Sequence, residues 1–299
     1  MTRVSSFQVA NESLYGIQSA YSRFERVSVQ LSTGKQVNNP SDDPVGTSQA
    51  LDYRQQIAEI DQFGRNIDQA KGFMSQTESS LSSINTLVRS ARSIAVQGAN
   101  DTNTQDTRDA LAAQIDNIIQ QVGAIGNTQY AGRYLFAGQQ TQTAPMVNTG
   151  SGVYTYSGGT VATQDDKLII DVGRDEAMKV NTTGEETLMP LLNSLKSLRD
   201  HLSTGNTQTI SRTDIANMDT GLGKITEVRA DMGAKIQRLE LTKSRNDQSK
   251  LNFTKFISDI EDTDTAKAVV EYQTAQTTYQ AALQTTAKVF QYSLLNFIS

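Results

Sequence analysis

The chain has no cysteine, no tryptophan, a single histidine and only four prolines in 299 residues. Without cysteine there is no thiolate metal site, no thiol nucleophile and no disulfide. The lone imidazole, His201, makes neither a zinc site nor a triad and is expected to face solvent. There is no basic block and the net charge is -5, which argues against a nucleic-acid partner. Nothing approaches the run of about 18 apolar residues that spans a bilayer, so no membrane insertion is expected. The opening "MTRVSSFQVANESLYG" lacks the apolar stretch of a secretory signal, so a soluble protein that leaves the cell would use another route. Hydrophobics at 37% and aromatics at 6% are lean for a thick globule and suit long helices with narrow apolar seams.

Such seams are present. From Phe7 the seam steps by three and four through Ala10, Leu14, Ile17, Tyr21, Phe24, Ser28 and Leu31, all apolar but Ser28, the heptad pattern of a coiled-coil helix. A second seam runs through Tyr53, Ile57, Ile60, Phe63, Ile67, Ala70, Met74, Thr77, Leu81, Ile84, Val88, Ala91 and Ala95, with a stammer at Ile57–Ile60–Phe63. It predicts one helix from Pro44 to about residue 97. "GANDTNTQDT" turns the chain, and a third helix carries Leu111, Ile115, Ile118, Val122 and Ile125. From Asn127 the composition changes to Gly and Thr, with short alternating stretches such as "VYTYS" and "KLIIDV" that read as β. Helical spacing returns at Leu188, continues through Ile215 to Leu239, Phe253 and Ile257, and ends in a helix carrying Val269, Tyr272, Tyr279, Leu283, Phe290 and Phe297. The expected fold is mainly α, an elongated helical hairpin or coiled-coil rod built from both terminal regions, with a small β-rich domain inserted in the middle. The expected domains are 1–42 with 258–299, 43–138 with 188–257, and 139–187.

The stretch "NNPSDDPVG" at 38–46 could be a metal loop, a carboxylate pair for acid–base work, or a joint. Pro40 stops one helix; Asp43 is placed as an N-cap, and Pro44 suits the first helical position. No histidine, lysine or tyrosine stands near Asp42 and Asp43 in sequence, so capping is preferred over catalysis. "SDIEDTDTAKAV" is a second articulation, with Ser258 and Glu261 spaced as a capping box, Asp262 between, and Asp264 able to cap a restart. The two terminal segments have nearly equal lengths and opposite charge balance: residues 1–40 carry four basic and two acidic side chains, 259–299 two basic and five acidic. They are expected to pair. A second apolar edge on the last helix, with Val289, Leu294, Leu295 and Ile298, would stay wet unless other chains cover it, which points to ends that fold on assembly.

Four stretches, "LSTGKQVNNPSDDPVG", "NTQYAGRYLFAG", "IEDTDTAKAVVEYQ" and "QAALQ" followed by "SLLNFI", together resemble the flagellin superfamily, in the right order and at the right distances from the ends. The "PSDDP" and "GRYLFAG" forms look most like its hook-associated branch. The resemblance implies a structural subunit of the bacterial flagellum at the hook–filament junction, located outside the cell. It implies export, unfolded, through the flagellar type III channel, and a cytoplasmic chaperone on the C-terminal segment. Its partners would be copies of itself in a ring, a hook-side junction protein (hook-associated protein 1) and flagellin. The inner coiled-coil interface would carry Phe7, Leu14, Ile17, Tyr21, Phe24, Leu31, Val269, Tyr272, Tyr279, Leu283, Phe290, Leu294, Leu295 and Phe297. The joint between layers would be Pro40, Asp42, Asp43 and Pro44 with Glu261, Asp262 and Asp264.

Two other readings stand beside it: a short flagellin that forms the filament itself, and an exported wall-active enzyme with coiled-coil arms. Against the enzyme stands the absence of a convergent nucleophile, base and oxyanion set. "DTNTQDTRDALA" opens like a calcium loop but lacks glycine at its sixth position and glutamate at its twelfth, and "GSGVYTYSGG" has no dinucleotide-site context. The expectation is therefore no catalytic residue, no metal and no cofactor.

Overall fold

The computed structural model describes residues 6–150, 152–163 and 166–298, with side chains except those of 6, 7, 9, 10, 289 and 292–298. Three helices come first, α1 (Ser6–Thr33), α2 (Pro44–Gly98) and α3 (Gln105–Gly126). Three antiparallel two-stranded hairpins follow: β1 (Gln129–Tyr130) with β2 (Arg133–Tyr134), β3 (Met146–Gly150) with β4 (Val153–Tyr156), and β5 (Ile169–Gly173) with β6 (Glu176–Lys179). The chain then returns to helix in α4 (Gly184–Thr187), α5 (Met189–Thr204), α6 (Thr207–Thr209), a π turn at Ile210–Asp214, α7 (Ile215–Glu261) and α8 (Thr265–Ile298). The mainly α fold with a strand-containing middle is as expected; the hairpins share no common sheet.

The chain divides into two compact units, cut after Glu59 and after Asp247. The first cut falls at the stammer, where the α2 repeat changes phase. Both cuts lie inside helices, α2 and α7, on the far side of the expected joints at 42/43 and 257/258.

In the unit 60–247 the second sequence seam is the core. Ile67, Ala70, Met74, Thr77, Leu81, Ile84, Val88, Ala91 and Ala95 are all completely buried. Leu111, Ile115, Ile118 and Val122 of α3 and Leu191, Leu195, Leu198 and Leu202 of α5 close over them, and α7 adds Met218, Ile225, Met232 and Leu239 at seven-residue intervals. Opposite charges flank the stripe: Lys71 with Glu240, Arg92 with Asp219, Arg229 with Glu78 and Lys243 with Asp68 set α2 and α7 antiparallel. These exposed pairs specify register more than they stabilise. The "GRYLFAG" stretch earns its shape by burial: Leu135 and Phe136 are completely buried, and the Phe136 carbonyl accepts from Gly184 N (2.9 Å) and Tyr156 OH (2.9 Å). Burial pushes the Tyr156 phenol pKa up, so it stays a donor. The β5–β6 hairpin is held by Glu176, whose carboxylate takes Arg238 (2.7 Å) and Arg245 (3.1 Å).

His201 does not simply face solvent. Its Nδ1 lies 2.7 Å from Oδ2 of Asp214, a carboxylate whose side chain is 1% exposed at the π turn. The chain folds back there, and the imidazole meets Oδ2 of the buried acid while its Oδ1 has no hydrogen-bond partner among the described residues. Burial raises the Asp214 pKa and His201 only partly opposes this. A raised folded-state pKa means that protonation favours the fold: this contribution is fully present below the unfolded aspartate pKa and is lost as pH climbs through the folded one. Asp214→Asn should therefore remove a fall in stability with rising pH, above about pH 4, read as the difference in urea midpoint between variant and parent across the acid range. An identical pH profile would show that the pair does not titrate with folding.

Candidate assembly site

The terminal helices and the segments that join them to α2 and α7 lie in the unit formed by residues up to Glu59 and from Gln248. Helix α1 ends because Gly34 takes φ +72, a left-handed conformation that costs other residues a steric penalty. The next residues run antiparallel to the end of α7. Gln36 N donates to the Glu261 carbonyl (2.7 Å), Thr263 N donates to the Gly34 carbonyl (2.9 Å), and Lys35 pairs with Asp262 as an isolated β-bridge. Asp42 Oδ2 accepts from the Asn38 and Asn39 amides at 3.2 and 2.9 Å, folding the loop on itself. Asp43 Oδ1 accepts from Val45 N (3.1 Å) and Gly46 N (2.9 Å), the N-cap geometry for a helix whose first residue is Pro44. Gly46 is required by space: a Cβ there would lie 2.3 Å from Asp43 Oδ2 and 3.0 Å from Ile260 Cγ2.

Asp264 caps α8 in the same way, its Oδ1 accepting from Ala266 N (3.0 Å) and Lys267 N (3.2 Å). The expected capping box at Ser258 and Glu261 does not form. Helix α7 runs through Ser258 to Glu261, and Ser258 instead hydrogen-bonds Asp262, so neither residue begins a helix. Glu261 has a different task. It is buried, and its Oε2 accepts from Lys35 Nζ (2.8 Å) and Arg54 NH2 (2.7 Å), gathering the segment after α1, helix α2 and the end of α7 on one carboxylate. Pro40 is exposed on the loop between α1 and α2.

Helices α1 and α8 pack antiparallel. Phe24 meets Tyr272 and Tyr279 at ring-centre distances of 5.3 and 6.0 Å, and Tyr21 meets Tyr279 at 5.5 Å. Ile17, Phe24, Leu31, Tyr272 and Tyr279 are half-buried, as a seam requires. Leu14 (52%), Tyr21 (48%), Val269 (41%), Leu283 (42%) and Phe290 (39%) are exposed. The side chains of Phe7, Leu294, Leu295 and Phe297 lie outside the described residues. Smaller residues fill the seam: Val27, Ala268, Ala275 and Thr286 are buried and Ala20 and Ala282 half-buried, with Ala20, Ala268 and Ala282 each one position before the exposed Tyr21, Val269 and Leu283. Small residues at seven-residue spacing were the available signal, and larger neighbours overshadow them in any hydrophobic count. Their size lets two helices approach closely, which turns each helix part-way toward its small residues and leaves other apolar side chains exposed.

Among the described residues no helix is long and apolar enough to cross a membrane. The family model described as the bacterial flagellin N-terminal helical region matches residues 4–141, and that of the C-terminal helical region matches 215–298. The chain belongs to the flagellin family. It is 28% identical over 302 residues to flagellar hook-associated protein 3 of Escherichia coli K12, covering 94% of both chains. It is 26% identical over 246 residues to a flagellar filament 31.3 kDa core protein of Treponema maltophilum, covering 81% of this chain and 80% of that relative. Among solved structures, a putative flagellar hook-associated protein from Vibrio parahaemolyticus has the same fold, with TM-score 0.66 and 24% identity over 74% of this chain and 100% of that one.

The caps are the most local of these features. Asp43→Ala should cost about 0.5–2 kcal/mol in the first turn of α2, seen as faster hydrogen exchange at the amides of residues 45–47. Pro40→Ala should leave those amides unchanged; equal loss of protection in both variants would count against Asp43 as the cap.

Proposed function

We propose that this chain is a structural subunit of the bacterial flagellum that forms the junction between hook and filament. The single observation that carries the reading is the likeness to hook-associated protein 3 across 94% of both chains, which takes in the hairpin region as well as the terminal helices. The filament protein is matched over a smaller share of the chain, so a short flagellin is the less supported alternative. The subunit works outside the cell, associated with hook and filament components, and acts by packing instead of by turnover. Its specific neighbours are copies of itself in a ring, a hook-side junction protein and flagellin, with an export chaperone on the C-terminal segment before assembly.

In the assembled state, residues 1–42 and 258–299 form the inner coiled coil, 43–138 with 188–257 the layer outside it, and 139–187 the surface domain. The assembly interface is the set named from the seam together with its flank, from Phe7 to Leu31 and from Val269 to Phe297. The exposed apolar side chains of Leu14 on α1 and of Val269, Leu283 and Phe290 on α8 support this part of the reading, because such side chains are what a further helix would cover.

Deletion of the gene should leave hooks without filaments and flagellin spilled into the medium; filaments of normal length would refute the junction role, and purified subunit that seeds micrometre filaments alone would favour the flagellin alternative. Leu283→Asp should abolish incorporation while circular dichroism of the rest of the chain stays intact. Limited proteolysis of the free protein should trim residues near 1–42 and 258–299 first, and uniform resistance would count against folding on assembly.

A further inference from the structure

The α1–α8 seam repeats, and a repeating seam does not define its own register. Positions 17, 24 and 31 are Ile, Phe and Leu; positions 13, 20 and 27 are Ser, Ala and Val. On the facing helix Ala268, Ala275 and Ala282 recur at the same interval, and so do Tyr272 and Tyr279, both of which already contact Phe24. A slip of seven residues moves α1 by about 10 Å and places side chains of the same class opposite each other again. The connections oppose such a slip unequally. Only Asp262–Asp264 separate α7 from α8, whereas Gly34–Asp43 lie between α1 and α2, enough extended chain to reach about 30 Å. Helix α1 is thus the element free to slide back, away from the joint.

The backbone hydrogen bonds of Gly34 and Gln36 to Thr263 and Glu261 stand against it, and so does one buried ionic group. Glu261 is 6% exposed, and its Oε2 is shared by Lys35, one residue beyond the end of α1, and Arg54 on α2. Sliding α1 back by two turns would pull Lys35 away, break the Lys35–Asp262 bridge and leave a desolvated carboxylate with half its compensation. We propose that the Lys35–Glu261–Arg54 cluster is the register lock of the terminal helix pair, selecting one of several heptad-related alignments. A buried ion cluster seldom adds much net stability over apolar residues, while losing one partner is costly. That asymmetry suits a group which discriminates between alignments. The inference concerns how the ends pair and holds for a junction subunit or a filament subunit alike.

Because the full-length chain has no cysteine of its own, introduced thiols report alone. Tyr21→Cys with Tyr279→Cys marks the observed alignment, and Ser28→Cys with Tyr279→Cys the slipped one, each treated with a short bis-maleimide. In the parent background the first pair should dominate. Glu261→Ala should raise the slipped product relative to the first by at least about tenfold, and Glu261→Gln, which keeps an acceptor for both donors, should raise it less. Lys35→Met serves as the second variant, with Arg54 and Glu261 intact, and should also raise the ratio, because the slip then removes no partner from the carboxylate. An unchanged ratio in Glu261→Ala, or equal trapping of both pairs in the parent background, would overturn the lock.

Discussion

Small side chains along the α1–α8 seam limit how much apolar surface the terminal helices can bury against each other. Ala268, Ala275 and Ala282 carry one methyl each, so the larger side chains of the seam are Val27, Phe24, Tyr272 and Tyr279, with Ile17 and Leu31. Leu14, Val269, Leu283 and Phe290 contribute their bulk to the outside. The unit from Ile60 to Asp247 is built on the opposite choice, with Leu, Ile, Met and Phe fully enclosed from four helices and the hairpins. Apolar burial is the dominant favourable term, so cohesion is concentrated in that unit and the terminal pair has little of its own.

Polar chemistry then does for the joint what packing does elsewhere. Asp43 and Asp264 each satisfy two amides that a helix start would otherwise leave unpaired, and Asp42 does the same for the preceding loop. Glu261 faces two cations. Each of these carboxylates accepts from donors that hold it in place, and carboxylates held so fix the local geometry. In "NNPSDDPVG" both aspartates are taken up by backbone amides.

Much of this was legible in the residues. The α2 seam from Ile67 to Ala95, the helix start at Asp43–Pro44, the restart at Asp264 and the third helix all follow from periodicity and capping chemistry, which act over a few residues. The errors share a cause. Periodicity assigns a face but not its partner, so it placed Leu14, Val269 and Leu283 inside a seam that smaller neighbours occupy. Spacing alone made Glu261 a capping residue, because Lys35 and Arg54 are 226 and 207 positions away and no local rule connects them. His201 met the same limit: its partner Asp214 is near in sequence, but only the π turn brings the two together.

The exposed apolar side chains have an energetic consequence for the proposed assembly. Covering a fully exposed Leu, Val or Phe side chain contributes about 1.5–3 kcal/mol; Leu14, Val269, Leu283 and Phe290 are only about half exposed, so together they offer a gain no greater than the cost of docking a subunit and ordering its ends. A gain that merely matches its cost leaves single encounters reversible. Contacts made with several neighbours at once would share the docking cost, and association would then become firm only where a growing structure presents those neighbours together. A wider seam, with Leu in place of Ala275 and Ala282, would draw on large residues to satisfy the chain internally and leave less for its neighbours. The small-residue seam therefore sets the terminal helices between folding alone and associating anywhere, and the register lock decides the alignment in which they present their outer side chains.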